Sequence, residues 1–520
     1  MKLLRSSLVF SGFTLLSRIA GFVRDGLQGA LFGTGAATSA FVVAYRIPNY
    51  LRRVFAEGSF ASAFVPVLSE LKERGDQAAL QDFLDHVAGA LLAAVALITG
   101  LGMLAAPLIA RLFLIFAGKD SPQVDLTAEM LRITFPYLTF ISMTALAGAV
   151  LNSFRQFGLP AFAPVLHNLG VIAGMLLLAP LLAIPAKALA WGVTLAGLLQ
   201  MLLLWPAMRR LGLRTKLRLN LKHEGVRRVF SLMLPTIFSS SVAQINLLVG
   251  TMFASLLVVQ AQSWLYFSDR LIEFPLGLFG VAIGTVILPH LSRQHAAEDM
   301  AGYAAALDWG MRCVLLVALP AAVGLAVLAE PLVSTLFRYG KFTAEDARMT
   351  AISIQAMSIG VPAFMLSKVL LPAFYARQDT RTPMRIAIRT VLANVLFTIA
   401  LVTPLWHYQV LAAHAGIALA TALAGVLNAW WLWRRLRTLG WYQPQPGWPL
   451  FLLRVLASCA LMAACVWWLR ESLAPWLLLT WSWRLLGLLI LVSIGASCFA
   501  AVLWLTGLRP RMLREPVQSR

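Results

Sequence analysis

Long apolar stretches alternate with short polar connections along almost the whole chain. An α-helix needs about 20 predominantly apolar residues to cross the hydrocarbon core of a bilayer, so such stretches indicate membrane-spanning helices. The pattern predicts about fourteen of them, over residues 6–32, 37–68, 84–116, 125–153, 160–182, 186–208, 225–258, 263–292, 304–330, 346–376, 383–405, 410–436, 449–471 and 480–507. We therefore expect an all-α polytopic membrane protein.

Lysine and arginine are concentrated in every second connection between these stretches. The richest connection is the linker 209–228, RRLGLRTKLRLNLKHEGVRR, whereas the alternate connections hold few basic residues. Because cytoplasmic loops carry the excess of basic residues, both chain termini are predicted to be cytoplasmic. The linker itself either lies on anionic lipid headgroups or is an ordinary solvated loop.

Composition narrows the class of protein further. Of the 520 residues, 60% are hydrophobic and only 12% are charged, which excludes an ordinary soluble globular protein. A net charge of +21 would suggest a nucleic-acid partner in a soluble protein. Here the alternation of basic loops accounts for the charge, and no nucleic-acid partner is expected.

The sequence contains an internal repeat. The block ALAGLLQMLLLWPAMRRLG ends at Gly212 and the similar block ALAGVLNAWWLWRRLRTLG ends at Gly440, while AFVPVLSE around Pro66 resembles VILPHLSR around Pro289. Repeats in the same orientation place a substrate path between the halves, near the bilayer midplane. The predicted parts are a six-helix N-lobe (1–215), a six-helix C-lobe (216–440), and two further helices with a cytoplasmic tail (441–520).

Several charged residues interrupt the first two apolar stretches. They are Arg18, Arg24, Asp25, Arg46, Arg52, Arg53 and Glu57. A charge at bilayer depth costs about 2.5–3.5 kcal/mol, so these side chains should face a water-filled cavity, a partner charge or an anionic ligand. Arg52 and Arg53 can instead extend to the membrane surface from a helix end. Glycines in the first stretch allow it to bend, and Pro48 can break the second.

A second charged group lies in the other half of the chain. SWLYFSDRLIEFPLGLFG contains Asp269, Arg270 and Glu273, shortly before Pro275. Residues three or four positions apart share a helix face, so Arg270 can pair with Glu273.

Motifs for catalysis, nucleotides or metals are not recognisable. There is no GxxxxGK[ST] or GxGxxG segment, and the seven histidines are scattered through the chain. The four cysteines lie in apolar runs without paired short spacing, which is typical of small core residues rather than of disulfides or metal ligands. We therefore expect a protein that is not an enzyme and has no cofactor or metal.

Four segments resemble the MurJ (MviN) family of lipid II flippases, within the multidrug/oligosaccharidyl-lipid/polysaccharide exporter superfamily. They are SRIAGFVRDGLQGALFGTG, RIPNYLRRVFAEGSFASAFVPVLSE, SDRLIEFPLGLFGVAIGTVILPHLS and ARQDTRTPM. The resemblance covers essentially the whole chain, including the last two helices. It implies transport of lipid II, the undecaprenyl-diphosphate-linked peptidoglycan precursor, between the leaflets of the bacterial inner membrane, through a cationic central cavity.

The same resemblance assigns roles to residues. The arginines implied to bind the diphosphate are Arg18, Arg24, Arg52 and Arg270. The candidates for a supporting or gating role are Asp25, Ser39, Arg53, Glu57, Asp269 and Glu273. Many family members have an aspartate where this chain has Ser39, so a role of that carboxylate in gating or ion coupling is not supported here. Membrane potential or an ion gradient is the expected driving force.

Three other functions remain open from the residues. The first alternative is an exporter of another lipid-linked oligosaccharide. Export of cationic drugs fits poorly, because an arginine-rich cavity repels cations. A membrane enzyme acting on polyprenyl phosphates would have to use Asp25, Asp269 or Glu273 as its catalytic carboxylates. A third alternative is a scaffold for cell-wall enzymes. The partners expected are lipid II, membrane lipids, and proteins of cell-wall synthesis and division.

Overall fold

A computed structural model describes residues 2–52, 59–118, 121–213, 215–277, 281–472 and 479–508, without the side chains of 2–11, 59, 235–245 and 281–286. Its regular secondary structure is helical throughout these residues, which confirms the predicted all-α class. The helices are grouped into two compact units.

Unit 1 comprises Met1–Ser263 and the short segment Tyr339–Phe342. Its helices are α1 (Lys2–Phe32), α2 (Ala36–Arg52), α3 (Ser59–Glu73), α4 (Gln77–Leu104), α5 (Ala106–Phe113), α6 (Pro122–Thr134), α7 (Pro136–Ser153), α8 (Gly158–Leu178), α9 (Lys187–Arg210) and α10 (Glu224–Ala254).

Unit 2 comprises Trp264–Arg338 and Thr343–Arg520. It contains most of α11 (Ala261–Pro275), followed by α12 (Val281–Ala296), α13 (Met300–Val327), α14 (Ala329–Leu336), α15 (Ala344–Ser358), α16 (Val361–Tyr375), α17 (Arg381–His407), α18 (His414–Thr438), α19 (Trp448–Ser472) and α20 (Trp481–Leu505).

The described helices differ from the predicted spans at several points. Nine helical stretches are long and apolar enough to cross a membrane, or ten if α15 and α16, which meet at a bend of 44°, form one span; this count covers the described residues only. The figure of fourteen therefore stays a prediction. Within the predicted span 263–292, the α-helical part of α11 ends at Pro275 and the next two residues are π-helical. Pro48 lies within α2 and does not break it.

The sequence repeat is visible in local backbone structure. α4 and α13 begin at equivalent N-cap residues, Asp76 and Asp299, whose carboxylates each accept a hydrogen bond from a backbone N–H three residues later. Arg155 and Gln378, which follow α7 and α16, both have a φ of 59°. The predicted lobe boundaries at 215 and 440 follow this repeat and stay predictions, since α10 packs within unit 1 against α3 and α4.

A buried carboxylate on α4 holds the linker that follows α9. Asp85 accepts a hydrogen bond from the backbone N–H of Lys216 at 2.8 Å, and its own carbonyl accepts the N–H of Arg218 at 3.1 Å. The close approach requires Gly89, because a Cβ there would lie 2.2 Å from the carbonyl oxygen of Arg218. The linker is thus fastened to α4 through its backbone.

Asp308 on α13 holds the connection into α19 in a similar way. It is 2% exposed and accepts hydrogen bonds from the Tyr442 hydroxyl at 2.7 Å, the Trp448 indole at 2.6 Å and the Gln445 backbone at 3.2 Å. Nε of Arg312 lies 2.8 Å from its other oxygen. Burial, together with the Asp308 carboxylate, raises the pKa of Tyr442, so its hydroxyl remains a donor.

The hairpin of α19 and α20 is held at its opposite end as well. Arg470 lies 3.1 Å from the Glu330 carboxylate, and Arg484 donates a hydrogen bond to the Ser334 carbonyl at 3.3 Å. Between these polar contacts the hairpin packs on α13 and α14 through apolar side chains. Polar contacts at both ends therefore fix where the hairpin attaches to unit 2.

Candidate functional site

Arg24 and Asp25 form the best-defined charged pair of unit 1. Both Nε and one terminal nitrogen of Arg24 donate to the same oxygen of Asp25, at 3.0 and 2.7 Å. Asp25 is 3% exposed, and the Arg24 side chain is also largely covered. Because two of its nitrogens donate to one carboxylate oxygen, the planar guanidinium keeps one orientation.

Asn168 is the second hydrogen-bond partner of the Arg24 guanidinium. Its amide oxygen accepts from the remaining terminal nitrogen of Arg24 at 3.0 Å, while its amide nitrogen donates to the Ser17 carbonyl at 2.9 Å. Asn168 therefore ties α8 to α1 and fixes the Arg24 guanidinium. Sequence reasoning missed it; the available signal was a histidine–asparagine pair inside an otherwise apolar helix.

Arg52 lies at the end of α2, and its Nε donates to the Asn49 side chain at 3.0 Å. The guanidinium groups of Arg24 and Arg52 both lie within electrostatic range of the buried His167 imidazole, which contacts the Tyr137 ring. The structure thus brings two of the predicted arginines to one part of unit 1.

Arg18 is partly buried on α1 and makes no hydrogen bond or ion pair within the described part of the chain. Its guanidinium is therefore open to an anionic ligand. Arg53 and Glu57 lie outside the described residues, so their predicted supporting roles are not tested.

Ser39, which replaces an aspartate common in the resembling family, is completely buried. Its hydroxyl lies 2.8 Å from that of Ser263 and 3.3 Å from the Thr34 carbonyl. A hydroxyl can take part in both contacts without a charge, so the position is neutral in this chain. Arg46 donates to the Thr251 hydroxyl on α10.

The second charged group lies in unit 2, on α11. Arg270 pairs with Glu273 at 3.1 Å, which confirms the pairing predicted from their spacing, and stacks over the Tyr266 ring at 4.8 Å. Their side chains are 27% and 49% exposed. An ion pair with this exposure contributes little stability. Asp269, next to it, is partly buried.

Comparison with known sequences gives a consistent match. The family model described as "Lipid II flippase MurJ" matches residues 29–487. A protein of Haemophilus influenzae named "Probable lipid II flippase MurJ" is 41% identical over 513 residues, covering 96% of this chain and 99% of that protein. The "Lipid II flippase MurJ" of Burkholderia cenocepacia is 41% identical over 474 residues, or 90% of each chain.

Comparison with solved structures supports the fold. A structure titled "Lipid II flippase MurJ, inward closed conformation" matches with a TM-score of 0.78 at 24% identity, covering 96% of this chain and all of that one. An inward-facing multidrug resistance transporter of the MATE family and MOP superfamily matches with a TM-score of 0.65 at 14% identity, over 82% and 95% of the two chains.

Proposed function

We propose, because this chain belongs to the lipid II flippase MurJ family, that it moves lipid II from the cytoplasmic to the periplasmic leaflet of the bacterial inner membrane. We further propose that it works by alternating access, with both termini in the cytoplasm, as the distribution of basic loops favours. The observation that carries the proposal is the largely covered guanidinium of Arg24, which Asp25 and Asn168 hold in one orientation among the apolar helices of unit 1.

The diphosphate of lipid II is the group that these arginines suit. Guanidinium groups bind phosphate oxygens through two parallel hydrogen bonds and remain charged at any working pH. We propose that Arg18, Arg24 and Arg52 bind it, and that Asp25 and Asn168 hold Arg24 in the orientation required. Fixing a donor in advance lowers the entropy lost when the ligand binds.

Arg270 is assigned to the same ligand by family resemblance, and its exposed pairing with Glu273 supports the assignment. A weak, solvent-accessible pair can release its guanidinium to a phosphate at small cost. Asp269 and Glu273 would then be the carboxylates that exchange partners with Arg270 during the cycle.

We propose membrane potential as the driving force, because the uncharged Ser39 offers no carboxylate for coupling to an ion. Moving one elementary charge across the bilayer is worth about 2.3 kcal/mol per 100 mV. An inside-negative potential therefore favours outward movement of the anionic headgroup without an ion-binding carboxylate at Ser39. We propose that the undecaprenyl tail stays in lipid beside α19 and α20, and that protein partners come from cell-wall synthesis.

The decisive test is complementation in cells depleted of their own lipid II flippase. With this chain expressed, we expect growth to resume and lipid II to become accessible to an outside reagent, because newly made precursor reaches the outer leaflet. An empty vector is the control. If growth and outer-leaflet lipid II both stay low despite normal membrane insertion, the proposed substrate is wrong, and another lipid-linked oligosaccharide becomes the leading candidate.

Replacing Asn168 with alanine should lower the rate of lipid II flipping at least about tenfold, since a hydrogen bond to a charged group is worth about 1.5–3 kcal/mol. The measurement is the initial rate of outer-leaflet appearance at matched protein level. Asn152→Ala, on an exposed position of α7, is the matched control and should flip at the wild-type rate. An Asn168→Ala rate equal to wild type would show that Arg24 needs no second support.

A further inference from the structure

A second polar group lies apart from the arginines, where the linker that follows α9 meets α4. Asp82 and His86 are one turn apart on α4, and His223 is the N-cap residue of α10. The three residues offer ligand atoms that all lie within 4.8 Å of one another. Scattered histidines gave no such indication in the sequence, because folding brings His223 back onto α4.

The distances within this group match those between ligands of one metal ion. Asp82 Oδ2 lies 3.1 Å from His223 Nε2, and Asp82 Oδ1 lies 3.4 Å from His86 Nδ1. Ligand atoms bound to tetrahedral Zn²⁺ at about 2.0–2.1 Å are separated by about 3.3 Å. His86 Nδ1 also lies 2.9 Å from the backbone carbonyl oxygen of Asp82, so a cation bound through this atom would replace that contact.

The two imidazole rings of this group lie side by side. They stack almost parallel, with centroids 4.4 Å apart and an angle of 10° between their planes. Each ring also brings one nitrogen close to the Asp82 carboxylate, so the three side chains face one point. Nδ1 of His223 is buried and has no hydrogen-bond partner within the described chain.

We propose that Asp82, His86 and His223 form a site for a divalent transition cation of the Zn²⁺ class. Two imidazoles and one carboxylate are ligands typical of zinc, and a water molecule would complete the tetrahedron. Arg218, whose nearest nitrogen is 3.8 Å from Asp82, is 55% exposed and can turn away when the cation binds. The cation would reinforce the attachment of the linker to α4 that Asp85 provides through the backbone.

The test uses the full chain in detergent. It is purified with an affinity tag that contains no histidine, and a chelator then removes any bound metal. We expect wild type to bind one Co²⁺ per chain with the visible absorption of a tetrahedral site, and Zn²⁺ to raise its thermal midpoint. His86→Gln and His223→Gln should each bind at least about 100-fold more weakly, because each loses a direct ligand. His295→Gln, an exposed histidine at the end of α12, is the control and should behave as wild type.

Three results would overturn the proposal. They are less than one equivalent of bound Co²⁺ in wild type, a spectrum without tetrahedral bands, and undiminished binding by His223→Gln. If a glutamine variant does not fold, the spectrum of wild type and of His295→Gln decides alone. Lipid II flipping is not part of the readout, so the outcome is independent of the proposed transport function.

Discussion

Replacing Arg24 with alanine should abolish lipid II flipping and also lower the stability of unit 1. The variant removes a guanidinium held by Asp25 and Asn168, and it leaves the 3%-exposed Asp25 carboxylate without that partner. Breaking a buried ion pair on one side costs about 3–5 kcal/mol, so low protein level would accompany the loss of transport. Complementation and outer-leaflet lipid II, both measured at matched expression, report the transport effect.

Two further variants separate binding from stability. The double variant Arg24→Ala/Asp25→Asn removes the unpaired charge, so we expect protein level to recover while flipping stays absent. Arg24→Lys keeps the charge, but one ammonium cannot hold Asp25 and Asn168 and still present a planar fork, so flipping should fall at least about tenfold. Arg210→Ala, at the exposed end of α9, is the control and should flip normally. Normal flipping by the double variant would mean that Arg24 is only a structural partner of Asp25.

Replacing Asp308 with alanine should produce the largest loss of stability in unit 2. Three donors would lose their common acceptor, namely the Tyr442 hydroxyl, the Trp448 indole and the Gln445 N–H. Arg312 would lose its ion-pair partner. Removing one partner of a buried charged cluster costs about 3–5 kcal/mol. We expect a lower thermal midpoint in detergent and rapid protease cleavage between α18 and α19, where the connection is no longer fastened.

The matched control for this variant is Asp125→Ala, which removes an exposed carboxylate on α6 and should change neither measurement. Asp85→Ala is the informative companion, since Asp85 holds the other linker. It should expose the linker between α9 and α10 to protease while leaving the connection into α19 resistant. Cleavage at both places in both variants would indicate general unfolding rather than loss of a local anchor.

The sequence was sufficient for the helical class, because apolar runs of spanning length leave no other regular structure in a bilayer. It was also sufficient for the pairing of Arg270 with Glu273, which depends only on helical spacing. The points at which a helix is interrupted within an apolar stretch were harder to predict. α2 continues through Pro48, so a proline inside an apolar run does not by itself end a helix.

Contacts between distant segments were beyond the reach of the sequence. Asn168 supports Arg24 from another helix; the polar pair His167-Asn168 marks α8 as unusual, but it does not indicate Arg24 as the partner. The acceptor function of Asp85 and Asp308 toward the connections after α9 and α18 appears only when those connections return to them. Such pairings depend on tertiary packing, which local spacing does not encode.

Asp85 and Asp308, which each hold a connection between two helices, show how the C-terminal hairpin relates to the repeat. After the linker held by Asp85 the chain enters α10, which packs on α4; after the connection held by Asp308 it enters α19, which packs on α13. The hairpin thus stands where a third repeat would begin, and it ends the series as a cap ends a solenoid. Lipid covers an apolar face as well as a helix does. If the chain ended after α18, lipid could replace the apolar contacts of the hairpin, but nothing would replace the donors around Asp308. Such a chain would be stable in a bilayer only if the Asp308 carboxylate were removed as well.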